Sequence, residues 1–130
     1  MTDVFSFEYD AEYPGPAFPI LTLGISGMPS GKSQTLTALI DSGADATLIP
    51  LKTLQAVKAR KMDTRWARNI SGVRYRVAMY IVTLSIGTLT FPDIDVIANQ
   101  QTDEIVIGRD ILNQLIVTLN GPIERVVITQ

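Results

Sequence analysis

The sequence predicts a mostly β, single-domain fold with one or two short helices. Many short segments alternate apolar and polar residues with a period of two, and turn residues separate them. Only one longer segment has apolar residues at helical spacing. The chain has 130 residues, 46% hydrophobic and 18% charged, which is enough to bury one core without disulfides or metals.

The first 19 residues predict an extended arm. Prolines at positions 14, 16 and 19 stand among five aromatic residues. Because proline has no backbone N–H to donate, we expect little regular structure here, apart from a short strand near Val4–Phe7. We therefore divide the chain into an N-terminal arm, residues 1–17, and a folded domain, residues 18–130.

The folded domain divides into strands that are separated by turns. The predicted strands are Ile20–Ile25, Thr35–Ile40, Thr47–Ile49, Tyr75–Ile86, Leu89–Phe91, Ile94–Ala98, Ile105–Ile107, Leu115–Leu119 and Arg125–Thr129. The first two form a hairpin around Ser26–Lys32, and the last two form a hairpin around Asn120-Gly121-Pro122.

Two helices are predicted. Pro50 opens the first, in which Leu51, Leu54 and Val57 recur at helical spacing. Its solvated face is expected to hold Lys52, Lys58, Arg60 and Lys61. Asp110 is expected to cap a second, short helix, Ile111–Leu115.

The composition excludes several classes of function. The chain has no Cys and no His, which excludes disulfides, cysteine-based zinc sites, cysteine nucleophiles and triads with a histidine base. Its net charge is −2, so no basic face for nucleic acid is expected. No apolar run is long enough to cross a membrane and no signal peptide is evident, so we expect a cytoplasmic location and no membrane contact. Acid–base chemistry would then fall to carboxylates, Lys or Tyr.

Asp41 follows an apolar strand directly and begins an Asp-Ser-Gly turn. On the tripeptide alone, an ordinary turn at a strand end is the favoured interpretation. However, Leu39-Ile40 before it and Thr47-Leu48-Ile49 after it are apolar. The flanks therefore predict a partly desolvated carboxylate that needs hydrogen bonds or a charged partner.

A second segment, Gly108-Arg109-Asp110, follows the apolar run Ile105–Ile107 and leads into the predicted short helix. Alone it indicates a tight turn with a helix cap. Together and in this order, the two motifs resemble those of the retropepsin family of aspartic peptidases, especially its bacterial single-domain members. The resemblance covers roughly residues 18–122. It implies a closed, barrel-like acid-protease fold with a flap hairpin, and a chain that forms homodimers.

The resemblance implies a role for each residue of the two motifs. Asp41 would be the catalytic aspartate, supported by Ser42, Gly43 and Ala44. The Ser42 hydroxyl would reach across the dimer interface, and Gly43 would let the chain turn towards substrate. The further roles are a structural ion pair, Asp45 with Arg109; a motif before the helix, Gly108 and Asp110; and a flap tip that binds substrate, Asn69, Ile70, Ser71, Gly72 and Val73.

The implied activity is that of an endopeptidase. One Asp41 carboxylate from each subunit would form a pair that shares one proton and activates water, with no metal, cofactor or covalent intermediate. The implied partners are a second copy of the chain and a peptide or unfolded protein. The N-terminal arm and Arg125–Gln130 are expected to contribute to the dimer interface. Residues 1–17 could be a pro-segment lost by self-cleavage, an interface arm or a disordered tail.

Two alternatives compete with the peptidase. A peptide-binding or dimerisation module of weak or no activity is suggested by Ser42, where the family more often has Thr, and by a flap with one glycine, Gly72. Nucleotide binding through Lys32 is suggested by Gly27-Met-Pro-Ser-Gly-Lys-Ser. This segment has three residues between its glycines where a phosphate-binding loop has four, and it leads into a β-branched run.

Three further expectations concern charged and aromatic residues outside the two motifs. The Arg/Lys cluster between Lys58 and Arg76 is expected to lie on the surface and to favour acidic peptides. Trp66, Tyr75 and Tyr80 are expected to pack in the core or the flap instead of stacking on a ligand. Asp93 and Asp95 are expected to lie on a solvated strand face, because no third metal ligand accompanies them.

Overall fold

The computed structural model describes residues 4–27 and 32–130, and these form a β-barrel with a smaller sheet packed beside it. The strands are β1 Val4–Glu8, β2 Ile20–Ser26, β3 Ser33–Ile40, β4 Leu48–Pro50, β5 Arg60–Arg68, β6 Arg74–Ile86, β7 Leu89–Asn99, β8 Val106–Ile107, β9 Ile116–Asn120 and β10 Arg125–Thr129. The helices are α1 Leu51–Ala56 and α2 Arg109–Leu112. The predicted mostly β fold with two short helices is confirmed.

The larger sheet closes on itself. Its strand order is β2-β3-β8-β4-β7-β6-β5, and β6 also pairs back to β2 through Gly24↔Ser85, Ile25↔Leu84 and Ser26↔Thr83. One edge of β6 is thus shared by two strands. Residues 83–85 of β6 pair with β2, and residues 74–81 pair with β5. The predicted barrel-like closure is confirmed, and β5 remains outside the ring as an edge strand.

The barrel interior is filled by alternate residues of its strands. Leu21, Leu23 and Ile25 of β2 are fully buried or nearly so, as are Val82, Leu84 and Ile86 of β6. This is the alternation that the sequence of Tyr75–Ile86 predicts, since successive side chains of a strand point to opposite faces. Burial of each such side chain contributes about 1.5–3 kcal/mol, so this interior is the main source of stability.

The smaller sheet joins the two ends of the chain in the order β1-β10-β9. Phe5 pairs with Ile128, and Phe5 and Phe7 pack against the core. The strand predicted near Val4–Phe7 is therefore confirmed, and it belongs to the packed body. Since β10 has a neighbour on each side, Arg125–Gln130 offers no free edge to a partner; the free edges of this sheet are β1 and β9.

The segment between β1 and β2 is held down as well. Asp10 forms an isolated antiparallel bridge with Phe18, and the Tyr13 ring lies 4.7 Å from that of Phe18. The Tyr13 hydroxyl donates to Glu104 Oε2 at 3.1 Å, and this hydrogen bond raises the pKa of Tyr13 above its ordinary value. The division at residue 18 stays a prediction.

The first helix is shorter than the spacing of apolar residues predicts. Ala59 N donates to Leu54 O (2.9 Å) and Lys58 N donates to Gln55 O (3.1 Å), while Lys58 has a φ of +56°. These contacts form a Schellman motif, which ends a helix with a left-handed residue that is usually glycine. Because position 58 holds a lysine and not a glycine, the sequence gives no sign that the helix ends here. Arg60 and Lys61 belong to β5 and not to the helix face that the sequence predicts.

Two predicted strands are joined in the structure. Leu89–Phe91 and Ile94–Ala98 both lie in β7, whose pairing with β6 shifts register between Val82 and Leu84. Asp93 lies at this irregularity with a φ of +55°. A β-bulge of this kind lets one strand continue through a segment that the sequence divides. The two predicted hairpins are confirmed, but most of the turn Ser26–Lys32 lies outside the described residues.

Replacing Leu84 by Ala tests the importance of the barrel interior. Leu84 lies at the closure with β2 and is fully buried, so we expect Leu84→Ala to lower the free energy of unfolding by about 2–5 kcal/mol. Urea denaturation measures the change. Ile70→Ala is the control, because this side chain is fully exposed at a hairpin tip and its loss should change stability by less than about 0.5 kcal/mol. Equal effects of the two substitutions would contradict the assignment of the core.

Candidate active site

The loop that carries Asp41 lies between β3 and β4, and β8 lies between these two strands. β8 runs parallel to β3, with Ile40 opposite Ile107, and antiparallel to β4, with Leu48 opposite Val106. Asp41 N also donates to Ile107 O at 3.0 Å. Both ends of the loop are therefore fixed to the same short buried strand, although that strand comes from much later in the sequence.

The Asp41 carboxylate is exposed at the start of this loop. Its Oδ1 accepts a hydrogen bond from Gly43 N at 2.8 Å, and Ala44 N donates to the Asp41 carbonyl at 3.1 Å. No protein group in the described part of the chain donates to the second oxygen, Oδ2. The expected partial desolvation is not found in the single chain, because the apolar flanks turn into the barrel while Asp41 lies just beyond the strand end.

The turn before α2 packs closely against the Asp41 loop. A Cβ on Gly108 would lie 2.6 Å from Ala46 O and 2.9 Å from Ala44 O, distances that real Cβ atoms do not adopt. Arg109 N donates to Ala44 O at 2.8 Å. The two motifs that the sequence analysis pairs are thus in direct backbone contact, and glycine at position 108 permits it.

A buried polar cluster joins the same two segments, and we call it the Thr47–Asp110 clamp. Thr47 N donates to Asp110 Oδ2 (3.0 Å), and Thr47 Oγ1 donates to Asp110 Oδ1 (2.8 Å). Gly108 N donates to Thr47 Oγ1 (3.3 Å). Thr47 is completely buried, and in the clamp its polar atoms are satisfied.

The clamp corrects the role predicted for Asp110. The residue that precedes α2 is Gly108, with extended backbone angles and no side-chain cap, while Asp110 lies in the first turn of the helix. Its carboxylate is engaged by Thr47, 63 residues away along the chain. The sequence analysis assigns Thr47 only to a strand. A hydroxyl within the apolar run Thr47-Leu48-Ile49 is the one signal that could have indicated a buried polar contact.

The predicted ion pair between Asp45 and Arg109 is not formed in the described chain. Arg109 Nη1 instead donates to the carbonyl oxygen of Ser42 at 2.8 Å. Both side chains are exposed, where an ion pair contributes at most about 1 kcal/mol and competes poorly with such a local contact. Arg109 therefore supports the Asp41 loop through the backbone next to Asp41.

The structure places Asn69–Val73 at the tip of the hairpin formed by β5 and β6. Gly72 N donates to Asn69 O (2.9 Å), and Asn69 Oδ1 accepts from Val73 N (3.0 Å). Gly72 has a φ of +83°, which favours glycine in a three-residue hairpin loop. Ile70 is fully exposed and Val73 is largely exposed. Within the described part of the chain, no hydrogen bond or ion pair joins this tip to the Asp41 loop.

The other candidate features give no site. The segment that resembles a phosphate-binding loop continues into strand β3, so no helix N-terminus is available there for a phosphate, and residues 28–31 lie outside the described part. Within residues 4–27 and 32–130, no group of three or more acidic side chains could hold a metal ion. The same residues include no helix of the length and apolar character that a membrane span requires.

Removing the Thr47 hydroxyl tests the clamp. Thr47→Val keeps the shape of the side chain but leaves Gly108 N and Asp110 Oδ1 without this partner, so we expect a loss of about 1–3 kcal/mol in the free energy of unfolding. Chemical denaturation at neutral pH measures it. Thr37→Val, at an exposed position of β3, is the matched control and should change stability little. Identical unfolding curves for the two variants would show that the clamp adds no stability.

Comparison with known proteins agrees with this geometry. A family model described as "gag-polyprotein putative aspartyl protease" matches residues 30–114, a range that includes both motifs. Among solved structures, the chain is similar to a retropepsin-like aspartic protease from Rickettsia conorii, with a TM-score of 0.66 and 12% sequence identity over 99% of this chain and 93% of that one.

No match is found among curated proteins. The structural likeness, at this low identity, supports the fold, and the family model supports the motifs. The chain therefore belongs to the retropepsin-like family of aspartic peptidases.

Proposed function

We propose that the chain is an aspartic endopeptidase in which Asp41 is the catalytic carboxylate, acting as a homodimer with one Asp41 from each subunit. One observation carries the proposal: the Asp41 carboxylate is exposed on a rigidly braced loop, with Oδ1 bound to Gly43 N and Oδ2 open. A catalytic carboxylate is most effective when its position is fixed before the substrate binds. The hydrogen bonds of this loop fix the position of Asp41 in that way.

One such carboxylate is not sufficient for the reaction. Hydrolysis of a peptide bond needs a base that activates water and an acid that protonates the leaving nitrogen. Two carboxylates about 3 Å apart cannot both ionise readily, so they share one proton and supply both roles. The described chain offers one Asp-Ser-Gly loop, and a twofold axis beside Asp41 would supply the second.

The surroundings of Asp41 are compatible with such an axis. The Ser42 hydroxyl has no hydrogen-bond partner in the described part of the chain, so it is available to a second subunit. The smaller sheet also has exposed apolar side chains: Val4 on β1, Ile116 and Leu119 on β9, and Ile123 in the turn before β10. With β1 and β9 at its edges, this sheet is the segment that we propose to contact the partner.

We assign substrate contact to the hairpin tip. Ile70 and Val73 are apolar and yet exposed to solvent. The hydrogen bond from Val73 N to Asn69 Oδ1 helps to shape the tip that presents them. In the proposed enzyme the hairpin closes over an extended peptide, excludes water from the carboxylate pair and places these apolar side chains on the substrate.

Cleavage assays with Asp41→Asn test the assignment of the catalytic carboxylate. We expect wild type to hydrolyse an unstructured protein with an optimum below pH 7, because the carboxylate pair must retain one proton. The isosteric Asp41→Asn protein should show no cleavage between pH 4 and 8. Thr37→Val serves as an active, folded control. If wild type and Asp41→Asn cleaved equally, Asp41 would not be catalytic; if neither cleaved any substrate, a peptide-binding module would replace the enzyme.

A mixing experiment tests whether the site is shared. Wild type and a ninefold excess of Asp41→Asn are unfolded in urea and refolded together. The control is the same concentration of wild-type chain refolded alone. If mixed dimers are inactive, random assembly leaves about a tenth of the wild-type activity. Full activity after joint refolding would show that each chain works alone.

A further inference from the structure

The hairpin of β5 and β6 extends beyond the barrel. Pairing between β6 and β7 begins at Met79, whereas β6 pairs with β5 from Arg74 onwards. Residues 64–68 and 74–78 therefore form a two-stranded ribbon with no third strand beside it, and most of its side chains are exposed. A ribbon of this kind has two solvent-facing sides, and they differ in chemistry.

One side of the ribbon, which we call the arginine face, consists of Trp66, Arg68, Arg74 and Arg76. Trp66 is opposite Arg76 and Arg68 is opposite Arg74, so all four project to the same side. The guanidinium carbon of Arg74 lies 4.8 Å from the centroid of the Trp66 ring, and that of Arg76 lies 5.8 Å from it. Trp66 is nevertheless 59% exposed, so it lies in the flap, as the sequence analysis allows, and not in the core.

The cations of the arginine face have no anionic partner in the described chain. No carboxylate lies within ion-pair distance of Arg68, Arg74 or Arg76, although Arg76 donates to Thr64 Oγ1 at 2.7 Å. On the opposite side of the ribbon, by contrast, Arg65 lies 3.7 Å from Asp95. Three guanidinium groups on one exposed face therefore remain free to bind an anion.

The charge of the whole chain hides this feature. Residues 60–76 contain six basic side chains and one acidic side chain, a net charge of +5. Because the complete chain has a net charge of −2, the remainder carries −7. The ribbon is thus a strongly cationic projection from an acidic body, and a short anionic segment would be attracted to the ribbon alone.

We propose that the arginine face binds carboxylate side chains of the substrate, so that extended polypeptides with several Asp or Glu residues are selected. The proposal rests on the proposed peptidase function and names its substrate class. A guanidinium group matches a carboxylate through two parallel N–H···O bonds. The outer edge of β5 has no strand beside it, so an extended peptide can add there through backbone hydrogen bonds.

The geometry favours a peptide over other polyanions. The ribbon has five paired positions, from Thr64↔Ala78 to Arg68↔Arg74, a length of about 16 Å at the usual rise of a strand. This length suits a segment of about five extended residues. A nucleic acid or an anionic membrane surface would extend past the ribbon onto the acidic body, where its phosphates would be repelled.

Trp66 provides a direct measurement of this binding, because it is the only tryptophan in the chain. The Asp41→Asn protein is titrated with two extended heptapeptides that are identical except for three alternate positions, occupied by Glu in one and Gln in the other. We expect the Glu peptide to change Trp66 fluorescence saturably and to bind at least about tenfold more tightly, with an affinity that falls as salt rises. Equal binding of the two peptides would overturn the proposal.

Variants of the ribbon locate the binding by anisotropy of a labelled Glu peptide. Arg74→Gln with Arg76→Gln should weaken it at least about tenfold. Lys32→Gln with Lys52→Gln makes the same change in net charge at residues that are not part of the ribbon, and should leave the affinity within about twofold. Equal weakening by both pairs would show a general effect of charge and overturn the proposal. Should the ribbon variant fail to fold, the two peptides still decide the question on the intact ribbon.

The outcomes separate this proposal from the peptidase proposal. Because Asp41→Asn binds without cleaving, binding is measured whether or not wild type has activity. A wild type that cleaves but binds Glu and Gln peptides equally would overturn the arginine face alone. A protein that binds the Glu peptide but never cleaves would retain the acidic ligand and overturn its role as substrate. Tighter binding of a single-stranded oligonucleotide than of the Glu peptide would identify a nucleic-acid surface instead.

Discussion

The insertion of β8 between β3 and β4 is the constraint on which the site depends. Val106 of β8 pairs with both strands and Ile107 pairs with β3, while the Asp41 loop connects those strands. The ends of the loop cannot move without breaking pairing in the barrel, because both are fixed to this one short strand. The Thr47–Asp110 clamp and the hydrogen bond from Arg109 to the Ser42 carbonyl then fix the interior of the loop. An exposed carboxylate is thereby carried by a loop whose anchoring residues include the buried Thr47 and Gly108.

Much of the architecture follows from local patterns in the sequence. The alternation in Tyr75–Ile86 predicts a half-buried strand, and the structure has β6 there with Val82, Leu84 and Ile86 inside the barrel. The resemblance that pairs the two motifs also agrees with the structure, in which Gly108 lies against Ala44 and Ala46 of the Asp41 loop. The failures have specific causes. Lys58 adopts the left-handed conformation at the end of α1, where a glycine would have indicated the helix end in the sequence. As a result, β5, which follows it, is not predicted.

Local sequence patterns do not predict contacts between segments that are distant in the chain. The sequence shows Asp110 before a helix and Thr47 in a strand, and nothing in either neighbourhood specifies that the two side chains meet. The same limit applies to charge. Arg74 and Arg76 lie on one face with Trp66 only because of the register between β5 and β6, which a net charge of −2 for the chain cannot indicate. Pairing register, more than composition, determines which charges act together.

The described contacts suggest a division of roles between rigid and projecting parts. Within one chain, the Asp41 loop is already held by hydrogen bonds from Gly43, Thr47 and Arg109. In the proposed dimer, the partner therefore adds a second carboxylate to a loop that has internal support. In the proposed enzyme, substrate recognition falls instead to a ribbon with no third strand, where few contacts oppose movement. On this proposal, catalytic geometry and substrate choice can change independently, because substitutions on the arginine face do not touch the clamp.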